Sequence, residues 1–293
     1  MSIRFQLWGW GWALAGTLLI TAPACSGDEA IAPQSTPMVL SSTEDDAFQA
    51  LQSADVVYLG ERHDSPLDHA AQLEIIKALY AADPEIAIAL EMFQRPFQPV
   101  IDRYLAGDIS EAALVKQTEY QERWGFPWEF YAPVVRFAQA QDLPVLALNA
   151  PAEITRQIAR EGLTSLSGND FRYIPPVEAI DTTNPDYRDF VTAAFGAHGA
   201  HGDFNFDNFF AAQVTWDETM AMTIAEFKAD NPDTQVVVLA GNGHVIYGWG
   251  IPDRVQRRLG EELIQQIVVL NPSPEVEQAK GAIADLFWYS EGP

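Results

Sequence analysis

Apolar and polar positions alternate between two rhythms along the chain. Five short, largely apolar runs (56–59, 86–90, 144–148, 235–239 and 264–270) are each bounded by polar or turn residues. This is the pattern of β-strands covered on both faces. A shorter run, 286–289, reads as a further strand near the C-terminus. The segments between the runs have helical spacing. Ser65-Pro66 supplies a cap and a residue suited to the first helical position, and Leu67, Ala70, Leu73, Ile76, Leu79 and Tyr80 then recur on one face. Residues 133–141 and 211–230 repeat the pattern. Strands alternating with helices predict an α/β fold, a mostly parallel central sheet flanked by helices. Two largely helical inserts, 93–131 and 162–208, break the rhythm. The first is rich in aromatic residues and the second carries a glycine- and histidine-rich stretch.

The N-terminus follows neither rhythm. Arg4 is the only charge before Asp28, and an apolar stretch runs from Leu7 to Ile20, too short and too lightly flanked for a spanning helix. It leads into Ala22-Pro23-Ala24-Cys25, which resembles a bacterial lipobox with Ala22 where Leu is usual. Ordinary cleavage after Ala24 is the bland alternative, but it leaves the chain's single cysteine unexplained. The expected layout is a signal peptide over 1–24, a lipidated flexible tether over 25–45, and one domain over 46–293. The tether is rich in Ser, Thr, Pro, Asp and Glu, with little to bury. Acylated Cys25 would hold the domain at a membrane of a bacterial cell envelope, and Ser26 favours the outer over the inner membrane. A formal net charge of -24 repels DNA, RNA and anionic headgroups, so nucleic acid is not an expected partner.

Position gives the polar residues their meaning. The first run leads into Gly60-Glu61-Arg62-His63, the second ends at Glu91, the third at Asn149, and the fourth at Gly241-Asn242-Gly243-His244. In a parallel sheet these are all carboxyl ends, and ligands of open α/β folds bind along that edge. His63, His244, Glu61 and Glu91 together would suit Zn, Mn or Fe as a divalent metal. The bland alternative is a hydrogen-bonded polar network that closes the sheet edge. Arg62 would neutralise Glu91, hold a carboxylate ligand or serve a structural pair, and His69, in the first turn of the following helix, reads as a solvated surface histidine. In the second insert, His198 and His201 lie in a glycine-rich loop near Phe204, Phe206, Phe209 and Phe210. Aromatic walls with an axial nitrogen suit a flat apolar cofactor, and Tyr173 and Tyr187 could supply phenolate ligands. The alternative is a surface loop with its aromatics packed inward. The aromatics of the first insert read as core, with Trp124, Trp128 and Tyr131 at helical spacing. No phosphate loop, dinucleotide fingerprint or Gly-x-Ser-x-Gly elbow is present.

Taken in order, several segments resemble the ChaN-like proteins. They are Gly60-Glu61-Arg62-His63, Ala89-Leu90-Glu91-Met92-Phe93, Ala147-Leu148-Asn149-Ala150-Pro151, Ala212-Gln213, Trp216-Asp217-Glu218-Thr219-Met220-Ala221 and Gly241-Asn242-Gly243-His244. These proteins are haem-binding, iron-regulated lipoproteins within a superfamily that includes the Tiki and TraB proteins. The resemblance implies haem as cofactor, with two haems paired across a homodimer by tyrosine ligation and histidine support. It leaves Tyr173, Tyr187, His198 and His201 as candidates. The superfamily's paired Gly-x-x-His motifs and glutamate, proposed as a metal-dependent hydrolytic site, fall here at His63, Glu91 and His244, with Glu61 a second candidate base. The two resulting expectations are a membrane-anchored haem-binding lipoprotein in iron or haem acquisition, and a metal-dependent hydrolase.

Overall fold

The computed structural model describes residues 44–197, 205–279 and 282–290. Six strands, β1 (Val56–Glu61), β2 (Ile86–Gln94), β3 (Val145–Asn149), β4 (Gln235–Gly241), β5 (Gln265–Leu270) and β6 (Leu286–Trp288), form one sheet in the order β3-β2-β4-β1-β5-β6. Every pairing is parallel. Each strand lies where an apolar run predicted one, because a strand buried on both faces needs side chains without polar atoms at consecutive positions.

Helices cover both faces. On one side, α1 (Glu44–Gln52) and α2 (Pro66–Ala82) pack with helices of the first insert over Val57, Leu59, Ile88, Leu90, Val237 and Leu239. That insert, between β2 and β3, contributes α3 (Gln98–Leu105), α4 (Glu111–Gln117), α5 (Tyr120–Arg123) and the start of α6 (Trp128–Ala140). Tyr120, Trp128 and Tyr131 are core residues, and half-buried Trp124 packs against them. Helix α6 begins five residues before the proline that was expected to open it, with Pro133 inside it. The reason is that Trp128 and Tyr131 must share a buried face one turn apart.

After β3 come α7 (Ala152–Glu161) and the second insert, three single turns followed by α8 (Pro185–Ala197). Helix α9 (Phe206–Asp230) and α10 (Ile251–Leu259) cover the other sheet face through Met220, Ala221, Ile224 and Val255. Helix α9 starts at Phe206, five residues earlier than its apolar spacing suggested, after the cap Asn205, whose side-chain oxygen accepts the N–H groups of Asp207 and Asn208. No helix among the described residues is long and apolar enough to cross a membrane. The signal peptide, Cys25 and nearly all of the tether lie outside the described residues, as do His198 and His201.

Candidate functional site

At the carboxyl edge the chain leaves β1 at Glu61, and the buried Glu61 carboxylate is held from four directions. It accepts from Gln72 Nε2 at 2.5 Å and Tyr131 Oη at 2.6 Å. His63 Nδ1 lies 2.8 Å from its Oε1, and His69 Nδ1 lies 3.6 Å from its Oε2. Burial alone would raise the Glu61 pKa, but the His63 hydrogen bond and the nearby imidazoles outweigh it and hold the carboxyl below its ordinary value. His69 is itself buried, its Nε2 donating to the His63 carbonyl oxygen at 3.0 Å, and not the solvated residue its place in the helix suggested. Arg62 turns away from Glu91: its backbone N–H and guanidinium both bond Asp68, in the first turn of α2.

Glu91 stands where β2 leaves its ladders. Pairing with β4 ends at Leu90, and a register shift against β3 follows between Leu90 and Gln94. One carboxylate oxygen therefore accepts the Gly241 N–H at 2.7 Å, and the other lies 3.4 Å from His244 Nε2. Burial opposes ionisation of Glu91, but the charges of His244 and His63 and the Gly241 N–H lower its pKa to about 2. His63 closes in from β1: a Cβ at Gly241 would lie 2.7 Å from His63 Nε2 and 3.7 Å from Glu91 Oε2, so a larger residue here would displace the imidazole. Trp124 and Phe126 wall this imidazole, with ring centroids 4.9 and 5.0 Å away. Burial lowers the His63 pKa, yet Glu61 and Glu91 together raise it above the ordinary value.

The other imidazole is anchored from α9. His244 Nδ1 donates to Asp217 Oδ1 at 2.6 Å, and Asp217 Oδ2 accepts the Tyr187 hydroxyl at 2.6 Å. The Gln213 carboxamide lies 3.2 Å from both Tyr187 Oη and His244 Nδ1. Burial disfavours the imidazolium, but Glu91 and Asp217 dominate and raise the His244 pKa to about 10. The structure thus brings Glu61, His63, Glu91 and His244 together. It adds Asp217 and Gln213, which lie in segments resembling the ChaN-like proteins but had no role assigned, Tyr131, which read as core, and Gln72.

Two expectations change. Tyr187 is fully buried, and burial together with the Asp217 charge raises its pKa well above the ordinary phenol value. Its hydroxyl donates to the Asp217 carboxylate in the protein interior. The metal expectation also fails to find its donor set. Among the described residues no group of three or more His, Cys, Asp and Glu side chains is arranged to hold a metal ion. His63 pairs with Glu61, and His244 with Asp217 and Glu91: both Nδ1 atoms are bound to carboxylates, and His244 Nε2 is directed at Glu91.

A second surface begins three residues after His244. Tyr247 has φ 60°, a left-handed conformation costly for a bulky residue, and Gly248 follows at +73°. Its N–H donates to the Ile283 carbonyl at 2.7 Å. Gly250 allows the return, since a Cβ there would lie 2.1 Å from the His244 carbonyl oxygen. The turn stacks the half-buried rings of Tyr247 and Trp249 with centroids 4.3 Å apart and planes 16° apart. Phe190 of α8 meets both edge-on, at 6.0 and 6.1 Å. Phe206, Phe209 and Phe210 belong to the same cluster, and the Arg188 guanidinium lies 5.0 Å from the Phe206 ring centroid. Tyr173 is half-buried in a separate single-turn segment, 5.2 Å below the Arg172 guanidinium.

The family model described as haem-binding uptake, Tiki superfamily, ChaN matches residues 47–255. ChaN of Campylobacter jejuni, whose structure is described as showing cofacial haem binding, superposes with a TM-score of 0.61. It is 21% identical and covers 79% of this chain and 87% of its own. The chloroplastic protein RETICULATA-RELATED 5 of Arabidopsis thaliana is 26% identical over 281 residues, 87% of this chain; the chain spans 36% of that relative's length. With the family model spanning both Gly-x-x-His motifs, Glu91 and the aromatic turn, the chain belongs to the ChaN haem-binding uptake family of the Tiki superfamily.

Proposed function

We propose that this protein binds haem on the face made by Tyr247, Trp249 and Phe190, as a lipid-anchored protein of the cell envelope that serves haem or iron acquisition. The observation that carries this reading is Tyr247: a half-buried phenol held in a strained backbone conformation and stacked on an indole. Flat aromatic walls suit a porphyrin, and a phenol at the rim suits a ferric iron better than the interior hydroxyl of Tyr187. Bound haem would supply a Lewis-acidic iron and a redox centre; Tyr247 would hold it from the protein side, and Trp249 and Phe190 would exclude water from one face. Family membership supports the same cofactor. The anchor in this reading is acylated Cys25, with the outer membrane as its site, and haem-bearing copies pair as homodimers.

Titration of the mature protein with haemin tests the proposal: a Soret shift at micromolar haemin is expected, and its absence ends this reading. Loss of radiolabelled palmitate incorporation in a Cys25→Ser variant is the expected outcome for the anchor.

One observation favours a second reading. His63 and His244 are each oriented by a carboxylate, Glu61 and Asp217, and both face Glu91. Two imidazoles so held could move protons in a hydrolysis, with Glu91 fixing their charge. Under this reading His63→Ala abolishes turnover of a chromogenic ester and spares haem binding. An ester turned over at the buffer rate by the intact protein counts against it.

A further inference from the structure

The turn that displays Tyr247 and Trp249 does not hold itself. Tyr247 is in a left-handed conformation; its N–H bonds the Ile283 carbonyl and the Gly248 N–H bonds the Val245 carbonyl, but neither bond reaches residues 249–250. One side chain reaches the outgoing half of the turn from beneath. Arg254, in the first turns of α10, is almost wholly buried. Its Nη1 donates to the Trp249 carbonyl at 2.5 Å and to the Gly250 carbonyl at 2.9 Å. Its Nη2 donates to the Asp181 carbonyl at 3.3 Å, and its Nε lies 3.3 Å from Glu218 Oε1. Its guanidinium sits 5.3 Å from the centroid of Tyr187, the residue that hydrogen-bonds Asp217.

The guanidinium is fixed in turn. Buried Glu218 of α9 also receives Arg257 Nη2 at 2.5 Å, Arg258 Nη2 at 2.6 Å and the Asp181 N–H at 3.1 Å. Three arginines of α10 therefore converge on one carboxylate, and the middle of that cluster projects a rigid fork at two consecutive carbonyls of the turn. A planar guanidinium can hold Trp249, Gly250 and Asp181 at once, whereas a lysine ammonium is a single point on a flexible stem. The fork joins the turn, α9, α10 and the second insert at one point.

We infer that Arg254 is the positioning residue for the aromatic face: it fixes the Trp249–Gly250 peptide and so sets the Tyr247–Trp249 stack. This rests on the haem reading only for what the face binds. The geometry itself concerns the protein without ligand.

The test separates the two. In haem-free protein the stacked phenol and indole give a near-ultraviolet circular-dichroism signal, identified as the part lost in Tyr247→Phe. Arg254→Lys is expected to lose at least half of that signal and to bind haemin at least tenfold more weakly, with altered ferric absorption bands. Arg254→Met is expected to lose more of both. A variant with a lowered melting temperature but wild-type dichroism and a wild-type haem spectrum would make Arg254 a mere brace and overturn the inference. Should neither variant fold, hydrogen exchange on the wild type decides: amides of residues 247–251 exchanging together with those of α10 support the clamp, and faster, independent exchange of the turn overturns it. Wild-type protein that shows the dichroism and its dependence on Arg254, yet binds no haemin, would sink the haem reading and leave the positioning role standing.

Discussion

Two regions share the carboxyl edge of the sheet and are built on opposite principles. Around Glu91 the charges are dense, buried and committed to one another: each imidazole has a carboxylate on Nδ1, and Glu91 takes a backbone N–H as well as facing both rings. Around Tyr247 the groups are aromatic, half-buried and held against backbone preference. The first region ties most of its charged groups to one another and specifies how the strand ends meet. The second has spent conformational energy to keep surface open, which is what a binding face requires. Sequence motifs draw attention to the first; the proposed haem face is the second.

The sharpest way to break this contrast is to remove an anchor of the charged region. Asp217→Ala leaves the His244 imidazolium with one partner fewer in a buried place, and should cost about 3–5 kcal/mol in urea unfolding. A loss below about 1 kcal/mol would show that the network is not a committed unit. Next in size, Gly241→Ala forces a methyl group into His63 Nε2, and about 1–3 kcal/mol of stability should go, again by urea unfolding. Tyr247→Phe probes the other side. It should weaken haemin at least tenfold, about 1.4 kcal/mol in binding, while stability moves by no more than about 0.5 kcal/mol. A large stability loss there would place Tyr247 with the structural residues.

The gentlest perturbation is pH. His244 has its pKa raised from 6.5 to about 10, so between those values the folded chain holds more proton than the unfolded one. Its contribution is complete below pH 6.5 and is lost as pH rises through about 10, with a slope no steeper than about 1.4 kcal/mol per pH unit. Glu91, lowered from 4.5 to about 2, behaves oppositely: its contribution is complete above pH 4.5 and is lost as pH falls through about 2. Urea midpoints in wild type and His244→Asn check this, since the variant should lack most of the alkaline decline.

The strands and their polar ends were legible because a strand buried on both faces must be written as an apolar run, and any polar residue that ends it stands out. Glu61, His63, Glu91 and His244 were visible for that reason. Asp217 was visible only within a segment resembling the ChaN-like proteins, and its role was not, although Gln213 and Asp217 fall four residues apart on a helix whose neighbours are buried. His69 looked solvent-facing from its place in the first turn of α2, and only the packing of α6 over that turn buries it. Tyr247 was hidden because a left-handed backbone leaves no mark on a tyrosine, apart from the glycines that follow at 248 and 250.

The sheet order has a consequence for biosynthesis. β4 lies between β1 and β2, so the partner that separates these two early strands is written late, and Glu91 waits for an amide 150 positions downstream. A chain that has emerged only as far as α8 already carries Glu61, His63 and Glu91, but neither the wedge strand nor the residues that anchor His244. Its two early strands present open edges to each other with no native way to close them. The molecule therefore cannot be assembled by adding finished halves from the N-terminus; the middle of its sheet is laid down only after β3 and the second insert.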